Sequence, residues 1–499
     1  MIEKVGYSHL IEQFSLTVLE QPLRSFIGPG SIKTTEHTPD SIVIHYPELL
    51  RANCCSWQDH LLFAIKHEGV NLEVLNALFK KIDEHELTSL VASTPLGIYT
   101  RRIWFIYEFL TGRELPVAPL KSGTYKYVLP PDEYFCLDKE HSWKAKRQRL
   151  ICNLPGNEVF CPIVRLTSRI RENIQKDFAS QVTTAIAGYP SELIYRANSF
   201  LYLKETKSSY AIERQTPSKK RTATFMKILH EAGKNKLDKK MLLRLQNAIV
   251  EERYRENDYR HSQVYVGQTL APGHELIHFI GLKPGDLSQF MAAYLETAGR
   301  LVESSCDAII SAAVLSFAFV FIHPFEDGNG RLHRYLLHHI LNAKKFNPEN
   351  IIFPVSALLY KDAKLYDSML ENFSRRLLEY VDYDLHTDGS MTVNNDTVDF
   401  YRFIDFTQIV ESFFAVVEET IKTELVPELD YLVRWERARS CMRDVVDMPE
   451  KKATQFILFV QQNHGKIPKS RRKLFQELTD EEIAFLAKIV KDNILSSPT

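Results

Sequence analysis

Twelve consecutive residues, His323-Pro324-Phe325-Glu326-Asp327-Gly328-Asn329-Gly330-Arg331-Leu332-His333-Arg334, carry the parts of a phosphate and metal site. Gly328 and Gly330 allow positive φ and a close approach of backbone to a ligand. A helix starting just after them would present free N–H groups and the positive end of its dipole to an anion. Arg331 and Arg334 stand three apart, share a helix face, and can grip phosphate oxygens with planar forks of donors. Asp327 supplies a hard oxygen ligand beside that anion, the donor type of a Mg²⁺ ion held jointly by protein and phosphates. His323, at the rim, takes a proton near neutral pH. Asn329 can pin the loop or a phosphate through its amide, and Phe325 anchors the turn in the core. Each feature alone has a plain reading: a turn, a structural histidine, two solvated arginines. Their joint order is what points to chemistry.

The turn needs two helices to hold it. Between Asp307 and His323 lie fifteen residues of which only Ser311 and Ser316 are polar. A membrane span needs about 20 apolar residues, so this reads as a helix buried on all sides. Pro324 lacks an N–H and disfavours α geometry in the residue before it, which ends the helix at His323. A second helix is predicted from near Arg331 through Leu332, Tyr335, Leu336, His339 and Ile340.

The twelve residues resemble the signature of Fic-domain proteins, His-Pro-Phe-x-Asp/Glu-Gly-Asn-Gly-Arg-x-x-Arg, with every defined position filled. The resemblance covers about residues 208 to 380. It implies transfer of AMP from Mg²⁺-ATP to a Ser, Thr or Tyr hydroxyl of a target protein, with another nucleotide or the removal of AMP as alternatives for the same site. By the same resemblance His323 is the general base, and Asp327 holds Mg²⁺ between the α- and β-phosphates. Gly328, Asn329, Gly330 and Arg331 form the anion hole, and Arg334 binds the terminal phosphate. Upstream, Ser209 and Glu213 fit the Ser/Thr-x-x-x-Glu-Gly/Asn pattern of an inhibitory helix, here about 205–216, although Arg214 replaces the expected Gly or Asn. Carried over, Glu213 pairs with Arg334 and blocks productive placement of ATP. Val264, Tyr265, Val266 and Gly267 alternate like a short strand, with Pro272-Gly273 as its turn. They resemble the family's flap, about 259–272, which approaches nucleotide and target. Tyr366 with Leu370 fits a pattern that lines the base pocket in relatives, many of which also self-associate.

At 499 residues the chain is long enough for two to four domains. The expected fold is all-α: a Fic-type helical core with a small β-hairpin flap, flanked by N-terminal and C-terminal helical domains. The expected bounds are 1–190, 191–384 for the Fic domain, a linker at 385–397, and 398–499. Within the first region, Arg102 to Leu110 reads as an amphipathic helix closed by Gly112. With 62 basic and 63 acidic residues, no global field argues for nucleic acid or membrane. Seven cysteines without metal-ligand spacing fit free thiols, and the first residues lack a secretory pattern, so a cytoplasmic protein is expected. Two rival readings remain. His274-Glu275-Leu276-Ile277-His278 matches the zinc-peptidase motif His-Glu-x-x-His, although Pro272, Gly273, Gly281 and Pro284 leave little room for its helix. A basic run from Lys466 to Lys473 before the capping box at Thr479 raises a winged-helix-like, nucleic-acid-binding domain at the C-terminus, against the favoured interaction or target-docking domain.

Overall fold

A computed structural model describes residues 2–38, 41–271, 274–348 and 351–495, which are mostly helical, with small sheets and a β-hairpin flap. The chain divides into two compact units that interleave in sequence. The first takes Met1–Lys176, Glu213–Phe346 and Asp362–Ala415; the second takes Asp177–Ile212, Asn347–Lys361 and Val416–Thr499. Among the described residues no helix is long and apolar enough to cross a membrane.

The first unit opens with a sheet of β1 (Glu3–Lys4), β2 (Leu23–Gly28), β3 (Thr34–His37) and β4 (Ile42–Pro47), ordered β1-β2-β4-β3 with β2 and β4 parallel. A smaller sheet joins β5 (Lys126–Tyr127), β6 (Trp143–Ala145) and β7 (Leu150–Cys152) in the order β5-β7-β6. The sequence pattern of residues 1–190 gives no sign of these sheets. Most of their strands span only two to four residues, too short to display a period-2 pattern. Helix α1 (Ile98–Thr111) contains the predicted amphipathic stretch, buries Ile103, Trp104, Ile106 and Tyr107, and ends on Gly112 at φ 67°, a left-handed cap suited to glycine.

Helix α2 (Ser191–Ile212) belongs to the second unit, and the chain re-enters the first at Glu213. Two helices follow, α3 (Lys219–His230) and α4 (Lys239–Ile249), capped by the side chains of Ser218 and Asp238. The sequence pattern extends a helix to Glu256, but α4 stops at Ile249. There Val250 turns extended, and the Gln246 amide donates to the Tyr254 carbonyl (2.9 Å), folding the following turn back. Strands β8 (Tyr265–Ala271) and β9 (His274–Ile280) form the antiparallel flap, pairing Tyr265 with Ile280 and Gly267 with Ile277 across a bulge.

Helices α5 (Pro284–Glu303), α6 (Ala308–Ile322) and α7 (Asn329–Ala343) complete the centre of the unit. Asp307 caps α6, its carboxylate accepting from the Ile310 N–H at 2.8 Å. All but the first residue of α6 is buried. Its two serines donate to carbonyls of their own helix, Ser311 to Asp307 (2.6 Å) and Ser316 to Ala313 (3.3 Å), so neither hydroxyl is stranded in the core.

In the second unit, the Glu205 carboxylate of α2 receives the Ser356 N–H (2.9 Å) and hydroxyl at the start of α8 (Val355–Lys361). Buried Glu424 lies between Lys204 (3.0 Å) and Lys361 (2.5 Å). The first unit resumes with α9 (Ala363–Leu378) and a hairpin of β10 (Tyr383–Leu385) and β11 (Met391–Val393), which occupies part of the expected linker at 385–397. Helices α10 (Val426–Arg443), α11 (Glu450–Gln462) and α12 (Asp480–Val490) finish the second unit, the last opened by the Thr479–Glu482 capping box. Among the described residues of 398–499 there is no strand, so the winged-helix alternative lacks its wing.

Candidate active site

Helix α6 ends on His323 in the left-handed conformation (φ 55°, ψ 60°), an uncommon state for a residue other than glycine, though histidine is among those that tolerate it. Several bonds hold it there. The imidazole Nδ1–H donates to the Val320 carbonyl at 3.0 Å, and because a carbonyl can only accept, Nε2 is the basic nitrogen. Arg260, 2 % exposed, spends its guanidinium on three carbonyls: His323 (2.7 Å), Ser262 (2.6 Å) and Leu282. Its backbone N–H donates to Pro324 (3.0 Å). The Phe279 ring of the flap lies 5.9 Å from the imidazole, and a Cβ placed on Gly281 would come within 3.1 Å of His323. Burial, assisted by the Arg260 charge against the pull of the Val320 carbonyl, lowers the His323 pKa to about 4.

Beyond Pro324 the loop is tied to itself. The Asn329 side chain accepts from the Phe325 N–H (3.0 Å) and donates to the Phe325 carbonyl (2.6 Å), so Asn329 pins the loop, and Phe325 is wholly buried. Glu256 accepts the Glu326 N–H at 3.0 Å; its burial is the main reason its pKa rises to about 7. Gly328 takes φ 96° as the N-cap of α7 and offers no side chain to the first-turn N–H groups. That turn keeps the donor array that suits an anion.

Arg331 and Arg334 are both 1 % exposed. Arg331 donates to the Asp327 carboxylate (2.6 Å) and to the side-chain oxygen of Gln215 (3.1 Å). Arg334 donates to the Glu213 carboxylate at 2.8 Å and is hydrogen-bonded to the Tyr366 hydroxyl. Burial alone would raise the Glu213 pKa, but the Arg334 charge and hydrogen bond, with Arg331 and His323 beyond, hold it below the usual carboxylate range. A Cβ on Gly330 would collide with the same Glu213 oxygen, so the bare backbone of Gly330 is what lets a carboxylate settle there.

The structure therefore gathers His323, Asp327, Gly328, Asn329, Gly330, Arg331, Arg334 and Glu213 within one unit. Glu213 lies just past the end of α2, not inside a helix of 205–216. The helix stops at Ile212, and Arg214 adopts φ 53° two residues before the next break at Thr216-Pro217. Ser209 is buried on α2 and belongs to the other unit. Tyr366, expected beside the base, is 5 % exposed, bonded to Arg334, and stacked 5.9 Å from the His333 ring; Leu370 is half-buried. In the flap, Val266 is 45 % exposed and Gly267 is exposed; the Tyr265 hydroxyl donates to the Gly389 carbonyl (3.3 Å), and Val264 accepts the Gly281 N–H (3.0 Å). Pro272 and Gly273, the expected turn, and the His274 side chain lie outside the described residues. Glu275 to His278 sit in β9, which overturns the zinc-helix reading: four residues along a strand span about 13 Å, too far for two ligands of one ion.

Residues 236–341 match the profile of the Fic/DOC family. This segment is a Fic domain. Protein adenylyltransferase Fic of Drosophila willistoni is 34% identical over 97 residues, 19% of this chain and 17% of the relative. That of Drosophila melanogaster is 33% identical over the same length and shares. The chain thus spans less than a fifth of the length of these curated relatives. A Fic family protein of known structure from Desulfovibrio desulfuricans G20 aligns over 52% of this chain and 75% of its own, at 17% identity and a TM-score of 0.34. Arg260, Gln215, Glu256 and Phe279, which brace the Fic loop through long-range contacts, were not marked by the signature.

Proposed function

We propose that the Fic domain transfers AMP from Mg²⁺-ATP to a hydroxyl side chain of a protein, and that Glu213 restrains it. The observation that carries this reading is the Glu213 carboxylate bonded to Arg334 over the bare backbone of Gly330, an anion seated in an arginine cradle next to a basic histidine nitrogen. A phosphate entering that cradle has to displace the carboxylate, and two anions cannot share one buried arginine cheaply.

Once Glu213 has moved, Arg334 and Arg331 hold and orient the phosphates, and the α7 N-terminus stabilises their charge. His323 Nε2 accepts the proton of the incoming hydroxyl as its oxygen bonds to the α-phosphorus and pyrophosphate leaves. Asp327, with 35% of its side chain exposed beside the cradle, has the hard-oxygen chemistry to hold Mg²⁺ jointly with phosphates. When bound, the ion supplies charge neutralisation for the phosphate oxygens. The low His323 pKa keeps the imidazole unprotonated at neutral pH, and a nearby triphosphate would raise it toward the range of an effective base.

The test is intact-protein mass after incubation with Mg²⁺ and ATP, and separately with GTP, CTP and UTP, in the presence of a whole-cell protein extract labelled in parallel. A Glu213→Gly variant that labels itself or extract proteins with AMP, with little label from the unaltered chain and none from Glu213→Gly/His323→Ala, supports the reading. Label from another nucleotide alone would replace ATP, and equal labelling with and without Glu213 would remove the restraint.

A further inference from the structure

Outside the catalytic loop, positive charge gathers on the helical hairpin α3–α4. Residues 218–248 hold nine lysines and arginines against two acids, Glu231 and Asp238, in a chain whose formal net charge is −1. The apolar face of the hairpin is spent on the core through Phe225, Leu229, Leu242, Leu245 and Ile249. The basic face is left in water: Lys219, Lys220, Lys227, Lys234, Lys236 and Lys240 are exposed and form no ion pair among the described residues. By contrast Lys239 is half-buried and paired with Asp258 (2.5 Å). Six uncompensated charges on some thirty residues repel one another, a cost that a complementary anionic partner would remove.

The placement of this face matters as much as its charge. Of the six exposed lysines, Lys220 lines a groove of about 780 Å³ between α3, α4 and the turn after α4, together with Arg221, Arg244, Asn247, Arg255, Glu251 and Glu252. Its back wall is the wall of the anion cradle. The Ile249 carbonyl accepts from Arg221 on the groove side (2.9 Å) and from Arg331 on the cradle side (3.4 Å). Val250 packs where a Cβ on Gly328 would stand 3.0 Å away. A chain lying in the groove is therefore one residue's thickness from the catalytic loop.

We propose that the α3–α4 face is a docking surface for an acidic polypeptide segment of the protein that the site modifies; the identity of that occupant rests on the transferase reading above. The lining favours a polypeptide over nucleic acid. Glu251 and Glu252, 3.6 Å from Arg221 and Arg255 respectively, would face a phosphate backbone that carries a charge every ~3.4 Å per strand. Carboxylates spaced along a peptide can pass between them. No aromatic side chain lines the groove to stack with bases.

Fluorescence anisotropy of the full chain without nucleotide tests the surface apart from any chemistry. The probes are a labelled peptide of alternating glutamate and serine and a labelled single-stranded DNA of equal charge. The proteins are the unaltered chain, Lys219→Glu/Lys220→Glu/Lys240→Glu, and the milder Lys219→Gln/Lys220→Gln/Lys240→Gln, each with its melting temperature measured. At about 50 mM salt the peptide should bind the unaltered chain, lose roughly tenfold in affinity with the charge-reversed chain and less with the glutamine chain, and weaken again at about 300 mM salt. DNA should bind no tighter than the peptide. Unchanged peptide affinity in both variants, absence of peptide binding at low salt, or DNA binding tenfold tighter than the peptide overturns the proposal. Loss of AMP transfer with lysine-dependent peptide binding intact would instead strike the transferase reading alone.

Discussion

The Fic loop and the α3–α4 hairpin handle positive charge in opposite ways. Arg331 and Arg334 are almost wholly buried, and each is engaged by a protein acid, Asp327 or Glu213. Six of the hairpin lysines stand in water and form no ion pair among the described residues. A buried guanidinium cannot be left bare, because an unpaired charge away from water costs several kcal/mol; a solvated ammonium can, because water screens it. The first arrangement holds an anion in fixed geometry and, on the proposed reading, exchanges the Glu213 carboxylate for a phosphate. The second attracts anions from a distance, loosely and in proportion to salt. The same charge is suited to position in one place and, as proposed, to recruitment in the other.

The largest effect that would sharpen this contrast is catalytic. In the Glu213→Gly background, Arg334→Ala should lower kcat for AMP transfer by about 10²–10³, the usual cost of removing one preorganised donor. Lys220→Ala should leave kcat unchanged and raise only KM for the protein substrate; a kcat loss there would dissolve the distinction. Stability comes next. Glu213→Ala takes the balancing carboxylate from Arg334, which is 1 % exposed and keeps the neutral Tyr366 hydroxyl named above, whereas Arg334→Ala leaves Glu213, whose side chain keeps a third of its surface in water. Urea unfolding should therefore show the larger loss for Glu213→Ala, about 2–3 kcal/mol after allowance for that exposure. Alanine at Lys219, Lys220 and Lys240 should stay within about 0.5 kcal/mol each. Equal losses for the two members of the pair would mean that Arg334 finds another partner at once.

Proton chemistry gives a finer probe. The His323 pKa is depressed to about 4, so the imidazole is neutral above that value and protonated below it. The rate of Glu213→Gly at saturating ATP should be flat from pH 8 down to the acid limb and then fall, with the limb near pH 4 if the site stays as enclosed as it is here. A limb shifted upward would measure how far bound phosphate raises the base. Smallest is the response to salt: from about 50 to 300 mM, KM for the protein should rise several-fold while KM for ATP, read by buried arginines, moves little.

The loop was legible because its chemistry is contiguous: seven groups from His323 to Arg334 lie within twelve residues, and the almost wholly apolar run before them admits one reading. Glu213 was legible through a spacing, although the helix end before it was not, since a left-handed Arg214 leaves no mark in the composition. Arg260 was invisible because its acceptors are backbone carbonyls, one of them 63 residues away, and any residue supplies a carbonyl. Gln215 and Phe279 escaped because their side-chain partners, Arg331 and His323, lie far along the chain. The second flap strand was masked by a histidine pair whose spacing suits a helix better than the strand it forms. The N-terminal sheets were missed because pairing between very short strands is decided by tertiary neighbours, not by local pattern.

The left-handed backbone of His323 bears on how an inactive yet intact protein is best made. Alanine removes the imidazole and also places an intolerant residue at φ 55°, so its silence would mix lost chemistry with a relaxed loop. Asparagine accepts that conformation and keeps a polar amide where the ring stood, while having no group that can take up a proton near neutral pH. His323→Asn is therefore the form in which to hold nucleotide and target together long enough to be captured side by side.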